Sequence, residues 1–201
     1  MVKVSRFYRS VPGFRRIKRA WRSRGFGIHS PFAFRFITCV LRQRSPYYGY
    51  DRLRSLADGR SEFRRAALIF RLVCEFVPDT VVVEADLPAV ISASVRLADS
   101  RIRLVESGSM DILPDGSTTV MLICGKITPD DADASQNSSA GHGLIESIFS
   151  QGGIVVILDA DRRSYLSLAR RMKCGMSFTN RRTAIFFSRA DLPRQDFEVN
   201  F

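Results

Sequence analysis

Four short runs, at residues 80–84, 101–106, 119–124 and 154–159, are rich in apolar and β-branched residues. Runs of this kind suit parallel strands covered on both faces. Helix-sized intervals separate them. Residues 89–98 follow Pro88, residues 144–149 are apolar at helical spacing, and Tyr165, Leu168, Ala169 and Met172 mark one face of another helix. Strand and helix in alternation predict a parallel sheet with right-handed crossovers. The rhythm then changes: residues 176–179 and 184–187 flank a polar Asn180-Arg181-Arg182 tip, which predicts a closing antiparallel hairpin.

Upstream the periodicity is helical. Ser30-Pro31 reads as an N-cap and first helical position, opening a helix to about Arg42 with Phe32, Phe36, Cys39 and Val40 as its buried stripe. A short helix is expected over 51–57. Ser61 and Glu62 open a longer one, lined by Phe63, Ala66, Ala67, Phe70 and Cys74 and stopped by Pro78. Residues 128–143 form a polar loop too long for a bare connector, either disordered or lidding a pocket. The expected architecture is α/β: a Rossmann-like, mostly parallel sheet over 61–201, with a C-terminal antiparallel hairpin and a basic helical N-terminal extension over 1–60.

Charge sharpens this division. Of the 201 residues, the first 54 carry fourteen Lys or Arg against one acid, Asp51, while the remaining 147 carry seventeen bases and nineteen acids. Phe7, Tyr8, Phe14, Trp21 and Phe26 interleave with those arginines. Guanidinium groups pair with phosphate while rings stack or insert, so residues 1–26 are a candidate polyanion contact for nucleic acid or an anionic membrane. A solvated helix docked through its aromatics has the same composition. No apolar window is long enough to span a bilayer, and no secretory signal is apparent, so a cytoplasmic location without a transmembrane segment is expected. The cysteines, Cys39, Cys74, Cys124 and Cys174, form no CxxC pair and read as buried reduced thiols, and no metal site is expected.

Two stretches carry a resemblance. GIHSPFAFRFITCVL at 27–41, followed by YYGYDRLRSL at 47–56, resembles the N-terminal signature of a group of class I S-adenosylmethionine-dependent methyltransferase-like proteins found chiefly in Bacteroidetes. AIFFSRADLPRQDFEVNF at 184–201 is similar to that family's closing strand and tail. The resemblance implies a class I methyltransferase sheet, S-adenosylmethionine as cofactor and methyl transfer to an acceptor that the residues do not specify.

It also implies where the cofactor lies. In the family a glycine-rich turn follows the first strand, because the backbone must approach the cofactor closely there. The equivalent stretch here is Glu84-Ala85-Asp86-Leu87-Pro88, which keeps the acid and none of the glycines. Glu84, Ala85 and Asp86 are thus the implied contacts. Glu106 is the implied ribose acid, although 101–114 is equally similar to the family's third-strand region through its Asp-x-Leu-Pro ending at 111–114. Under that second alignment a strand-helix unit is absent near Arg101. Cys124-Gly125 stands where the family has Asp-Gly, and Asp159-Ala160-Asp161-Arg162-Arg163 where it has Asp-Asp-Ile-His-Trp. Gly125 and Asp159 complete the implied set, with Asp159 either facing the crevice or capping the next helix. No catalytic residue is assigned: His29 reads as structural, His142 as a loop residue and Cys124 as a strand thiol. Two functions therefore stand side by side, a methyltransferase and an inactive binding or scaffold module built on its fold.

Overall fold

A computed structural model describes residues 19–106, 119–127 and 140–201, with 140–142 described in their backbone alone. The first part of the basic segment, the Asp-x-Leu-Pro stretch and residues 128–139 of the expected polar loop lie outside the described residues; 140–143 begin a helix. The chain forms two compact units, one of residues 1–44 with 198–201 and one of residues 45–197. Residues 45–60, grouped with the extension by composition, belong to the second unit.

In the first unit, Ser30 caps helix α1 (Pro31–Arg35), its hydroxyl accepting from the Ala33 amide at 3.2 Å. The HSPF signature is therefore a capping device. The helix continues as a π-helical stretch, Phe36–Leu41, in which the Arg42 amide reaches back to the Ile37 carbonyl at 3.1 Å. The extra residue per turn rotates the buried stripe. Ala33, Phe36, Ile37, Val40 and Leu41 are buried, whereas Cys39, expected inside, is exposed and Phe32 only half-buried. The C-terminal residues join this unit: Arg19 pairs with Glu198 at 3.3 Å, and the Asn200 amide donates to the Ser23 hydroxyl at 2.6 Å.

The second unit opens with α2 (Tyr50–Leu56) and α3 (Arg60–Phe76), which Val77, in the left-handed region, and Pro78 bring to an end. Gly59, not Ser61, is the N-cap of α3. The tyrosine-rich motif packs on Phe70, with the rings of Tyr47, Tyr48 and Tyr50 centred 5.5, 5.5 and 5.9 Å from it. There follow β1 (Thr80–Val83), α4 (Ala89–Ala98), β2 (Arg103–Glu106), β3 (Val120–Cys124), α5 (Ala140–Ser150), β4 (Ile154–Ile157), α6 (Arg162–Arg171), β5 (Met176–Thr179), β6 (Ala184–Phe187) and β7 (Gln195–Glu198). The seven-stranded sheet runs β2-β1-β3-β4-β6-β5-β7. Strands β2, β1, β3 and β4 are mutually parallel, and β6 lies antiparallel between β4 and β5. The expected α/β sheet with a terminal hairpin is present.

Both faces of β1, β3 and β4 are covered, which is why these strands read as unbroken apolar runs. Val82, Leu122, Cys124, Val155, Ile157, Ala184 and Phe186 pack with Ile145 and Ile148 of α5 and Tyr165, Leu168 and Ala169 of α6. The alternate positions, among them Val81, Val83, Met121, Ile123, Val156 and Phe187, are equally buried on the other face. There Phe187 meets Phe76 of α3 at 4.8 Å and Phe178 at 5.9 Å between ring centres.

Phe187 is fully buried between an antiparallel pair and a helix. Replacing it with Ala should remove about 3–5 kcal/mol of stability, through lost transfer energy and an unfilled cavity. A urea titration should show a lower midpoint with an unchanged slope; an unshifted midpoint would contradict this packing.

Candidate functional site

The topological switch point lies between β1 and β3: β1 leads through α4 to β2 on one side, while β3 flanks it on the other. Doubly wound sheets bind ligands in the crevice outside the carboxyl ends of such strands. Here those ends are tied together through Gly125. The Glu84 amide continues the ladder to the Ile123 carbonyl at 3.0 Å, and a Glu84 carboxylate oxygen accepts from the Gly125 N–H at 2.6 Å. On its other side the Gly125 carbonyl accepts from the Asp159 amide at 2.8 Å. A Cβ at Gly125 would stand 3.2 Å from Leu87 Cδ2 and 3.3 Å from Glu84 Oε2, so this position has no room for a side chain unless its neighbours shift.

The turn after β1 needs no glycine. Leu87 N–H donates to the Glu84 carbonyl at 3.1 Å, and no residue from Glu84 to Pro88 has a positive φ, so the path is open to ordinary side chains. Pro88 sits at the N-cap of α4, where its fixed φ fits and its missing donor costs nothing. Ala85 and Asp86 are exposed. Leu87 is half-buried and leans over Gly125. Of Leu87 and Pro88, the two residues able to fill the space at this strand end, Leu87 is the one that approaches Gly125.

Glu106 is exposed at the carboxyl end of β2, in register with Val83 of β1. Residues 103–106 therefore form the strand adjacent to β1, the place of a second strand in this architecture. Asp159 follows β4 at the same edge of the sheet, and its carboxylate is engaged by the guanidinium of Arg65 from α3. The pair is half-exposed and contributes little to stability, about 0–1 kcal/mol. Its effect is to neutralise a charge at the rim.

The capping role left open for Asp159 belongs to Asp161. One Asp161 oxygen accepts from the Arg163 and Ser164 amides at 2.7 and 2.9 Å, at the start of α6. The buried Ser164 hydroxyl donates to the Ile127 carbonyl at 2.7 Å, fixing the chain that leaves β3. The Ser164 amide, with lesser help from the Ser164 hydroxyl, the Arg163 amide and Lys126, holds the Asp161 carboxyl below its usual range against the opposing effect of desolvation.

Cys124 is buried, and desolvation with the nearby Glu84 charge pushes its thiol up to about 12. A thiol so far from ionisation is no nucleophile at neutral pH. The four thiols are free, but the expectation that all are buried fails at Cys39, which is exposed, and at Cys74 and Cys174, which are half-buried. Among the described residues no cluster of metal-ligating side chains occurs. His29 is exposed, and His142 lies in the backbone-only part of α5. Arg65 was not singled out from the sequence, since it lies 94 positions from its partner.

Asp161→Ala should lower stability by about 1 kcal/mol, the usual worth of an N-cap. Because the folded-state pKa is depressed, this contribution is present above the ordinary Asp pKa and is lost as pH falls through the lower folded value. Chemical denaturation of wild type and variant should therefore differ at pH 7 and converge in acid; a difference independent of pH would contradict the cap. Compared with known proteins, the chain matches no family model, no curated protein and no solved structure.

Proposed function

We propose that the chain is a cytoplasmic S-adenosylmethionine-dependent methyltransferase-like protein with an unspecified acceptor. The observation that carries this reading is the sheet order, in which antiparallel β6 is inserted between β4 and β5 after four parallel strands. That order is compatible with the class I methyltransferase sheet implied by the resemblance at both ends of the chain, and Glu84, Glu106, Gly125 and Asp159 lie at the carboxyl ends of its parallel strands. When bound, the cofactor supplies a methyl group on a sulfonium, ready for in-line transfer without a strong base.

The chain's own contribution is positioning. The exposed Glu106 carboxylate suits a ribose diol, since each oxygen accepts one hydroxyl. Ala85 and Asp86 offer an accessible backbone at the opening of α4. Glu84 acts through the Gly125 amide, holding β1 and β3 at a fixed separation. The residues fit a ribose at the Glu106 end; over Gly125, Leu87 has to rotate toward solvent before the methionyl portion is admitted.

Leu87 also favours a second reading. A turn without glycine, covered by a leucine, suits an inactive member of the fold acting as a binding or scaffold module, with the Arg-rich N-terminal segment contacting a polyanion. Calorimetry with S-adenosylmethionine and S-adenosylhomocysteine separates the two. Under the first reading both bind in the micromolar range, and Glu106→Ala weakens them at least about tenfold, equivalent to ~1.4 kcal/mol. Leu87→Ala should leave affinity equal or improved. Absence of binding to folded wild type and to Leu87→Ala alike would leave the module reading standing.

A further inference from the structure

The first unit exposes large rings that no part of the methyltransferase reading uses. Trp21 is 62% exposed, Phe26 63% and Phe34 47%. They form one cluster: Trp21 and Phe26 ring centres lie 6.1 Å apart, and the Phe34 ring rests against Gly25, occupying the space a Cβ there would need. Gly25 has φ +86°, so this close approach and the backbone turn both call for glycine.

The loop that presents the rings is internally tied. Arg24 N–H donates to the Trp21 carbonyl and Gly25 N–H to the Arg22 carbonyl, both at 2.9 Å, and the Phe26 amide returns to the Trp21 carbonyl at 3.3 Å. From beneath, the Arg42 guanidinium donates to the Ser23 carbonyl at 3.1 Å. An ordered loop loses little conformational freedom on binding. Arginines neighbour the rings along the chain, with Arg24 and Arg35 exposed and Arg22 half-exposed. Residues 1–44 contain twelve Lys or Arg and no acid, and Glu198, the one acidic side chain of the unit, is paired with Arg19.

We propose that the Trp21, Phe26 and Phe34 cluster, with its neighbouring arginines, is a docking surface for an anionic lipid bilayer. A contiguous apolar patch of this kind marks an interaction site. Two of the rings bear no polar atom and suit the acyl boundary, while the indole, apolar with one N–H donor, suits the headgroup level. Arginine stems extend over apolar surface while their heads meet anionic lipid. Nucleic acid is less well matched. Single strands stack their bases on rings spaced along a groove, and here the rings share one cap with Trp21 and Phe26 tilted by 50°. This inference gives a definite partner to the polyanion contact of the module reading and is independent of cofactor binding.

Trp21 is the sole tryptophan, so its emission reports the cluster directly. The full chain should co-sediment with vesicles of equal phosphatidylcholine and phosphatidylglycerol, with Trp21 emission shifting to the blue. It should bind pure phosphatidylcholine at least about tenfold more weakly, and raised salt should weaken binding to the anionic vesicles. Phe26→Ser and Phe34→Ser together should reduce binding to anionic vesicles about tenfold or more, with the circular dichroism spectrum unchanged. Unchanged emission with anionic vesicles, or binding insensitive to both Phe substitutions, would overturn the proposal. So would ring-dependent binding to single-stranded nucleic acid with none to vesicles. Calorimetry with S-adenosylmethionine, run on the same variants, reads the other site separately.

Discussion

Burial of the parallel strands on both faces is the constraint from which the rest follows. All four residues of β1, all five of β3 and all four of β4 are inside, so none of these strands can present a charged side chain along its length. Chemistry is displaced to the positions just beyond the strands, where the backbone leaves the sheet and a carboxylate can find water or an amide. Glu84 and Asp159 stand there because nowhere else in β1 or β4 is a charge tolerable. Glu106 differs, since β2 is an edge strand and its outer positions are exposed.

Gly125 shows how closely these strand ends are knitted. Its amide serves Glu84 and its carbonyl serves Asp159, so one small residue links the ends of three strands. A backbone amide held by a carboxylate is a strong, charge-assisted contact. It keeps the Glu84 side chain turned across the sheet toward β3 rather than outward. Leu87 then fills the space above Gly125, and the absence of glycines from the turn is matched by a backbone that needs no left-handed residue.

Legibility in the sequence followed the range of the interactions. The span of α4 could be read from Pro88 and the apolar spacing after it, and the β5–β6 hairpin from its polar tip, because local chemistry fixes both. The stripe of the first helix was misread because it assumed a 3.6-residue period where a π-helical stretch intervenes, and no residue in Phe36–Leu41 announces that change. Strand β7 was missed since Gln195 and Asp196 are exposed and polar, leaving Phe197 as its only deeply buried ring. At the site, the acids could be placed because strand direction alone puts them at one edge. The partner of Asp159 could not, because Arg65 reaches it from a distant helix.

The charge asymmetry bears on both functional readings. Residues 45–197 are neutral, with nineteen bases against nineteen acids, so the sheet unit exerts little net pull on a polyanion. Attraction of that kind is concentrated in the segment that also exposes Trp21 and Phe26. Charge alone would give weak, salt-sensitive association with any polyanion, whereas rings alone would leave an aggregation-prone patch. On the proposed lipid surface the two act together, because apolar rings would gain from an acyl boundary while arginines would gain only where that boundary is anionic.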